Sequence, residues 1–290
     1  MQQRFPNKQS VSVRIGCNTL YPDGRLEREE QFSLAAQCRA LETIAEAGFS
    51  AVEFSHIGHL RDEELETLAA RAAELGLIPW SAHSWTTIPA TRSAVEKAVE
   101  QLTRCVHQCS ILGARVVVVH CQVDHKTSEA QLRETHLATL LPACSAAEAV
   151  GCKVAIENCD RWEEWEYIIR LVDASGATNL GVNVDTGHAN LHNVGVRRFI
   201  EAAGQRIMTT HLQDNFGHLD EHLPPGEGTI DWKETIEALL AVGYGGVFMV
   251  EISDCPVNRE PDAIADTQTA ARNLRRFLQA AGATVQASPE

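Results

Sequence analysis

Residues 211–222 read HLQDNFGHLDEH, three histidines and three acids within twelve positions, with Pro224-Pro225-Gly226 close behind. Imidazole nitrogens and carboxylate oxygens are the donor atoms that divalent cations take from proteins. A crowded polar loop is ordinarily just solvated, so this one gains meaning only if further donors arrive from elsewhere. They do: His83, His120, Glu157, Asp185 with His188 three residues on, His211, Asp220, His222 and Glu251 each stand at the end of a short apolar run or just beyond it.

Those runs are the candidate strands, at 11–18, 51–55, 77–83, 115–121, 153–159, 179–185, 207–214 and 246–252. They are continuous and apolar rather than alternating, as parallel strands buried on both faces are. Between them lie segments with a 3.6-residue apolar period, at 33–47, 61–75, 91–112, 129–150, 162–175, 194–204, 231–242 and 261–281. Several of these end at a glycine suited to a left-handed helix terminus, namely Gly48, Gly76, Gly113, Gly151, Gly176, Gly204 and Gly243. Eight strand–helix units point to a closed (β/α)8 TIM barrel, an α/β fold. The alternative, an open doubly wound sheet, ordinarily carries a glycine-rich phosphate loop after its first strand, whereas NTLYPDGR follows it here. No Pro-, Ser- or Gly-rich linker divides the chain. A single domain over 1–290 is therefore expected, with its core at about 11–282 and a polar tail at 283–290.

In such a barrel the active site is built at the carboxyl ends of the strands. A buried carboxylate without a partner costs several kcal/mol. Near the ends of strands five to eight the only basic residue is Arg161. A divalent cation is the simplest compensation, held by oxygens of Glu157, Asp185 and Glu251 and a nitrogen of His211. That mixed set suits Mn²⁺, Co²⁺, Fe²⁺, Zn²⁺ or Mg²⁺. His83, His120, His188, Asp220 and His222 are additional ligands or hold substrate oxygens. Glu53, alone in an apolar run, fits a structural hydrogen-bonding role as well as a functional one and is left out of the set, and His107 and His136 read as solvated helix residues.

Composition sets limits on function. With 44% hydrophobic and 22% charged residues the chain is an ordinary globular protein. Its formal charge of −14, without a lysine and arginine cluster beyond amphipathic helix faces, argues against a nucleic-acid partner. Nine cysteines without a CxxC pair read as reduced core thiols, and no apolar run is long enough to span a bilayer. A cytoplasmic protein without membrane partners is expected.

VAIENC (154–159), GVNVDTGHANL (181–191), HLQDN (211–215), DEHLPPGEGTIDW (220–232) and FMVEI (248–252), in this order, resemble the xylose isomerase-like TIM barrel superfamily. It gathers sugar and sugar-phosphate isomerases and epimerases, inosose dehydratases and endonuclease IV-type enzymes. The resemblance covers residues 11 to 280. It implies that Glu157, Asp185, His211 and Glu251 hold one Mn²⁺ or similar ion, with Glu157 and Glu251 as acid and base. In the endonuclease branch, positions matching His83, His120, His188, Asp220 and His222 complete a three-metal site. Where the tagatose-type epimerases carry a TFHMN-like stretch, DTGHAN stands here. The implied activity is isomerisation or epimerisation of a ketose, keto-sugar or inosose through a metal-stabilised enediolate. The alternatives are a multi-metal phosphodiester hydrolase and an inosose-type dehydratase. Trp85, Trp162 and Trp165 are candidates for walling the sugar, and PPGEG (224–228) for fixing the loop over the mouth. Dimers are common in the superfamily, so a homodimer is implied by analogy.

Overall fold

The computed structural model describes residues 11–19, 32–252 and 262–286. Cys255, most of NTLYPDGR and the last four residues lie outside them. Eight parallel strands form the barrel: β1 (Ser12–Asn18), β2 (Ala51–Phe54), β3 (Ile78–His83), β4 (Val116–Val119), β5 (Lys153–Glu157), β6 (Leu180–Asp185), β7 (Ile207–His211) and β8 (Val247–Val250). Neighbours pair in the order β7-β6-β5-β4-β3-β2-β1-β8. The remaining seam, β7 to β8, is closed by one parallel bridge between Leu212 and Val250. There the Leu212 N–H donates to the Met249 carbonyl at 2.7 Å, and the Glu251 N–H to the Leu212 carbonyl at 3.3 Å. The residues that shut the barrel thus flank His211 and Glu251 and hold those two ligand candidates side by side.

The helices are α1 (Leu34–Glu46), α2 (Asp62–Glu74), α3 (Val95–Leu112), α4 (Glu129–Ala149), α5 (Trp162–Ser175), a short α6 (Thr186–Asn190), α7 (Val196–Ala203), α8 (Trp232–Ala241) and α9 (Ala263–Ala280). All seven glycines expected at helix ends have positive φ, the conformation a Cβ disfavours. One core lies between strands and helices. Two smaller clusters, Ala51/Val247/Met249 and Val116/Val118/Ala155, gather the strand residues that face the lumen. Period-two alternation then carries that inner face upward from Ala51 to Glu53, from Ala155 to Glu157, and from Val247 through Met249 to Glu251. An apolar plug below and a polar layer above follow from the same alternation.

Three expectations change. The tail from 283 is not free of structure: Thr284–Val285 pairs with β1 through Ser12 and Val13 as a ninth strand, because the β-branched residues extend the edge below the barrel. TGHAN forms a helix of its own, since the Asp185 side chain caps it by accepting the His188 N–H at 2.7 Å. Among the described residues, eight cysteines are free thiols and none forms a disulfide, as expected. Finally, His136 is fully buried rather than solvated. It belongs to the inward stripe of α4, with Leu132, Thr139, Leu140 and Ala143. Its Nε2 faces the Gln122 carbonyl at 3.0 Å and its Nδ1 the Tyr167 hydroxyl at 2.7 Å.

Burial lowers the His136 imidazole from 6.5 to about 4, against a smaller opposing effect from the Gln122 carbonyl. The folded protein therefore binds this proton later than the unfolded chain. Stability from this site is complete above pH 6.5 and is lost as pH falls toward 4, by about 3 kcal/mol in all. Denaturant melts of His136→Gln are expected to show a flatter acid limb across that window than the wild type. No helix among the described residues is long and apolar enough to cross a membrane.

Candidate metal centre

Glu157 ends β5, Asp185 ends β6, His211 ends β7 and Glu251 follows β8. One donor atom from each lies within 4.8 Å of the others, and all four residues are buried. His211 Nδ1 is the hub, 2.8 Å from Glu251 Oε2, 3.1 Å from Glu157 Oε2 and 3.9 Å from Asp185 Oδ2. Neither ring nitrogen of this fully buried histidine makes a directed hydrogen bond, although both face carboxylate oxygens at ion-pair distance. A buried polar atom left this way is costly, and a nitrogen aimed into three carboxylates is the donor arrangement a divalent cation satisfies. The residues present therefore fit a metal ion.

Neighbouring side chains fix the carboxylates. Asn183 Nδ2 donates to Glu157 Oε2 at 3.0 Å. Gln213 Nε2 reaches Asp185 Oδ1 at 3.3 Å and Asp220 Oδ1 at 2.7 Å, linking β6 to the mouth loop. Gly187 makes that possible, because a Cβ there would lie 2.1 Å from Gln213 Oε1.

The other expected residues surround this group. His83 Nε2 lies 3.5 Å from Glu157 Oε2, His120 Nε2 3.9 Å from Glu157 Oε1, and His188 Nδ1 3.3 Å from the same Oε1. His188 Nε2 faces Asp220 Oδ2 at 3.1 Å, and His222 Nε2 faces Glu251 Oε2 at 3.8 Å. His83, His120 and Glu157 form a second donor group of metal-binding dimensions. These residues line a cavity of about 390 Å³ together with Ser55, His56, Ser84, Trp85 and Thr87.

The electrostatics record the crowding. Burial raises Asp185 well above the carboxylate range, with His188 opposing and Glu157 and Asp220 adding to it. Burial also acts to raise Glu157, but the charges of His120 and His211 and the close imidazoles of His211 and His83 carry it well below that range. Conversely, burial lowers His211 while Glu251, Glu53 and Glu157 outweigh it, leaving the imidazole well above its ordinary value. His83 ends at about 9 through Glu157, against burial. Without a cation the acids thus favour protons on His83, His188 and His211, whereas His120 is lowered; a bound ion would take over that neutralising role.

The mouth loop is organised by Asp214, which sequence reasoning passed over. Its Oδ1 accepts from the N–H groups of Asn215 (2.9 Å) and Ile230 (3.2 Å), and its Oδ2 from the Gly226 N–H (2.9 Å) and Trp232 Nε1 (2.7 Å). The PPGEG turn therefore wraps around a buried carboxylate, and Asn273 of α9 holds it from outside through the Pro225 carbonyl. His222 and His56, both on the cavity wall, have φ of 48° and 55°, in the left-handed region where a histidine is strained. His56 was missed although it directly follows a predicted strand. His218, by contrast, is exposed to solvent.

Trp85 lines the cavity and is 39% exposed, enough surface to meet a ligand. Its indole N–H is tethered to Gln108 Oε1 at 3.1 Å. Trp162 and Trp165 do not line the cavity. Trp165 is fully buried, stacked on Phe199 with its N–H on the Phe199 carbonyl. Trp162 packs edge-on against the same Phe199 and under Arg198, because the first turn of α5 presents its apolar face to α7 rather than to the mouth.

The fold is a TIM barrel whose mouth gathers carboxylates and imidazoles around a buried histidine, a donor set that a divalent cation fits. The sequence profile of the xylose isomerase-like TIM barrel family matches residues 41–280, and the chain belongs to that family. It is 27% identical over 266 residues to an L-ribulose 3-epimerase of Mesorhizobium japonicum, covering 83% of this chain and 86% of that one. A crystal structure of a D-tagatose 3-epimerase-like protein superposes with a TM-score of 0.76 at 26% identity, over 93% of this chain and 98% of that one. The IOLI protein with a binding zinc atom shares the fold, with a TM-score of 0.74 at 19% identity over 92% of this chain and 99% of the other.

Proposed function

We propose that this protein is a divalent-metal-dependent isomerase or epimerase of a free sugar or sugar derivative carrying a carbonyl beside a hydroxyl-bearing carbon. The observation that carries the proposal is the fully buried His211 Nδ1, without a directed hydrogen bond, facing Glu157, Asp185 and Glu251. Those four residues would hold the ion, with Mn²⁺ the preferred occupant. A divalent ion there supplies Lewis acidity that makes a C–H next to a carbonyl acidic enough to ionise near neutral pH.

The chain's own groups do the rest. Glu157 and Glu251 stand on different strands, so one takes the α-proton and the other returns it. Return to the opposite face inverts that carbon; return to the neighbouring carbon moves the carbonyl; loss of a β-hydroxyl dehydrates. Each carboxylate has an imidazole beside it to pass a proton outward, His188 for Glu157 and His222 for Glu251. Trp85 offers an aromatic face to the apolar side of a sugar ring. At about 390 Å³ the cavity lies at the small end of the ~300–1,000 Å³ range of ligand pockets and suits one sugar ring. The similarity to an L-ribulose 3-epimerase supports the same reading.

The test is exchange of the α-hydrogen of free ketoses and inososes with solvent deuterium, followed by NMR on Mn²⁺-loaded protein. Exchange that stops on chelation supports the proposal; no exchange with any of these substrates rejects it.

A second reading rests on the His83, His120 and Glu157 group, which would hold a second ion and shares Glu157 with the first group. Two or three ions per chain together with nicking of abasic-site DNA would favour a phosphodiester hydrolase. The charge of −14 weighs against a polyanionic substrate.

A further inference from the structure

Glu53 lies at the inner face of β2, fully buried, on the far side of the His211 ring from the three carboxylates. Its Oε1 is 2.8 Å from His211 Nε2, in the geometry of an ion pair rather than a directed hydrogen bond. Its Oε2 takes the Ser81 hydroxyl at 2.6 Å. A neutral imidazole has one lone-pair nitrogen and one N–H. With Nδ1 turned to Glu157, Asp185 and Glu251, the N–H belongs on Nε2, and a carboxylate is the partner that keeps it there. Glu53 belongs to none of the metal-binding donor groups, so it acts through the ring and not on the ion.

We infer that Glu53, braced by Ser81, is a positioning residue that sets the ring orientation and donor strength of His211 and thereby the affinity of the centre for its ion. This rests on the reading of His211 as a ligand. It also accounts for a fully buried acid in an otherwise apolar strand. A merely structural Glu53 would need no close approach to the ring nitrogen opposite the carboxylate cluster, whereas its Oε1 sits 2.8 Å from it.

The test is calorimetric titration of Mn²⁺ and Co²⁺ into the metal-free full chain, for the wild type, Glu53→Gln, Glu53→Leu and Ser81→Ala, with the visible Co²⁺ spectrum as a second readout. Removing such a partner of a ligating histidine weakens metal binding by roughly 10- to 100-fold. Glu53→Gln, which keeps a neutral acceptor, is expected at the low end of that range and Glu53→Leu at the high end. Ser81→Ala should lie between the wild type and Glu53→Gln, and the Co²⁺ bands should shift in both Glu53 variants. Should Glu53→Leu fail to fold, the isosteric Glu53→Gln decides. Wild-type affinity and wild-type Co²⁺ bands in Glu53→Gln, whatever its melting temperature, overturn the inference and leave the centre intact. A wild type that binds neither ion overturns the ligand reading and this inference with it.

Discussion

Glu157→Gln and Glu251→Gln are each expected to slow exchange of the substrate α-hydrogen with solvent deuterium by about 10²- to 10⁴-fold, the usual worth of a positioned general acid or base. Glutamine keeps the size and one oxygen of glutamate but cannot accept the proton. The two variants are expected to differ in metal binding. Glu157 lies among His83, His120, His188 and His211, whose positive charges it balances when they are protonated, and Asn183 donates to it. Glu157→Gln removes the negative charge at the middle of that group and is expected to weaken the ion as well. Glu251 pairs with His211 and His222 at the rim, so Glu251→Gln should lose exchange with a smaller change in metal affinity. NMR exchange rates on metal-saturated variants separate the proton-transfer defect from the binding defect. Exchange at the wild-type rate in both variants would remove these residues from the chemistry.

Asp214→Ala is expected to cost about 3–5 kcal/mol of stability, as breaking a buried network of charged hydrogen bonds does. Four donors converge on this carboxylate from Asn215, Gly226, Ile230 and Trp232, and alanine leaves all of them unpaired in a buried place. Gly228 is packed against the same oxygens, since a Cβ there would lie 2.3 Å from Asp214 Oδ1. Collapse of the turn would also release Asp220 and His222, which the same loop carries. Chemical denaturation should show the lost stability, and hydrogen exchange should show faster exchange confined to residues 214–232. Unchanged protection across that segment would contradict the assignment of Asp214 as its organiser.

The strands were legible because parallel strands buried on both faces are short, continuous and apolar, and because helices here end at glycines that must adopt positive φ. Each observed strand falls inside its expected run, with β2, β4, β5, β7 and β8 ending short of its carboxyl end. The ligand candidates were legible for the same reason, standing at the ends of those runs. What stayed hidden depended on direction rather than position. Glu53 was set aside because one acid in AVEF does not reveal which face points into the lumen. Its alignment with Ala51 at a spacing of two, and with Glu157 on Ala155 across the barrel, is apparent only once the strands are in register. His136 was open to prediction, since Leu132, His136, Leu140 and Ala143 repeat at helical spacing. Trp162 and Trp165 follow a strand as Trp85 does, but they lie within the first turns of a helix whose apolar face turns to Phe199. Asp214 was invisible because its four donors come from residues up to eighteen positions away, brought back by the Pro-Pro-Gly turn.

The central claim is that side chains from four separate strand ends share a divalent ion whose charge makes their closeness tolerable. Anomalous scattering from crystals grown with Mn²⁺ tests it most directly. The account predicts a peak within coordination distance of Glu157, Asp185, His211 Nδ1 and Glu251. A well-ordered mouth without such a peak, or with His211 Nδ1 turned away from the carboxylates, would contradict it.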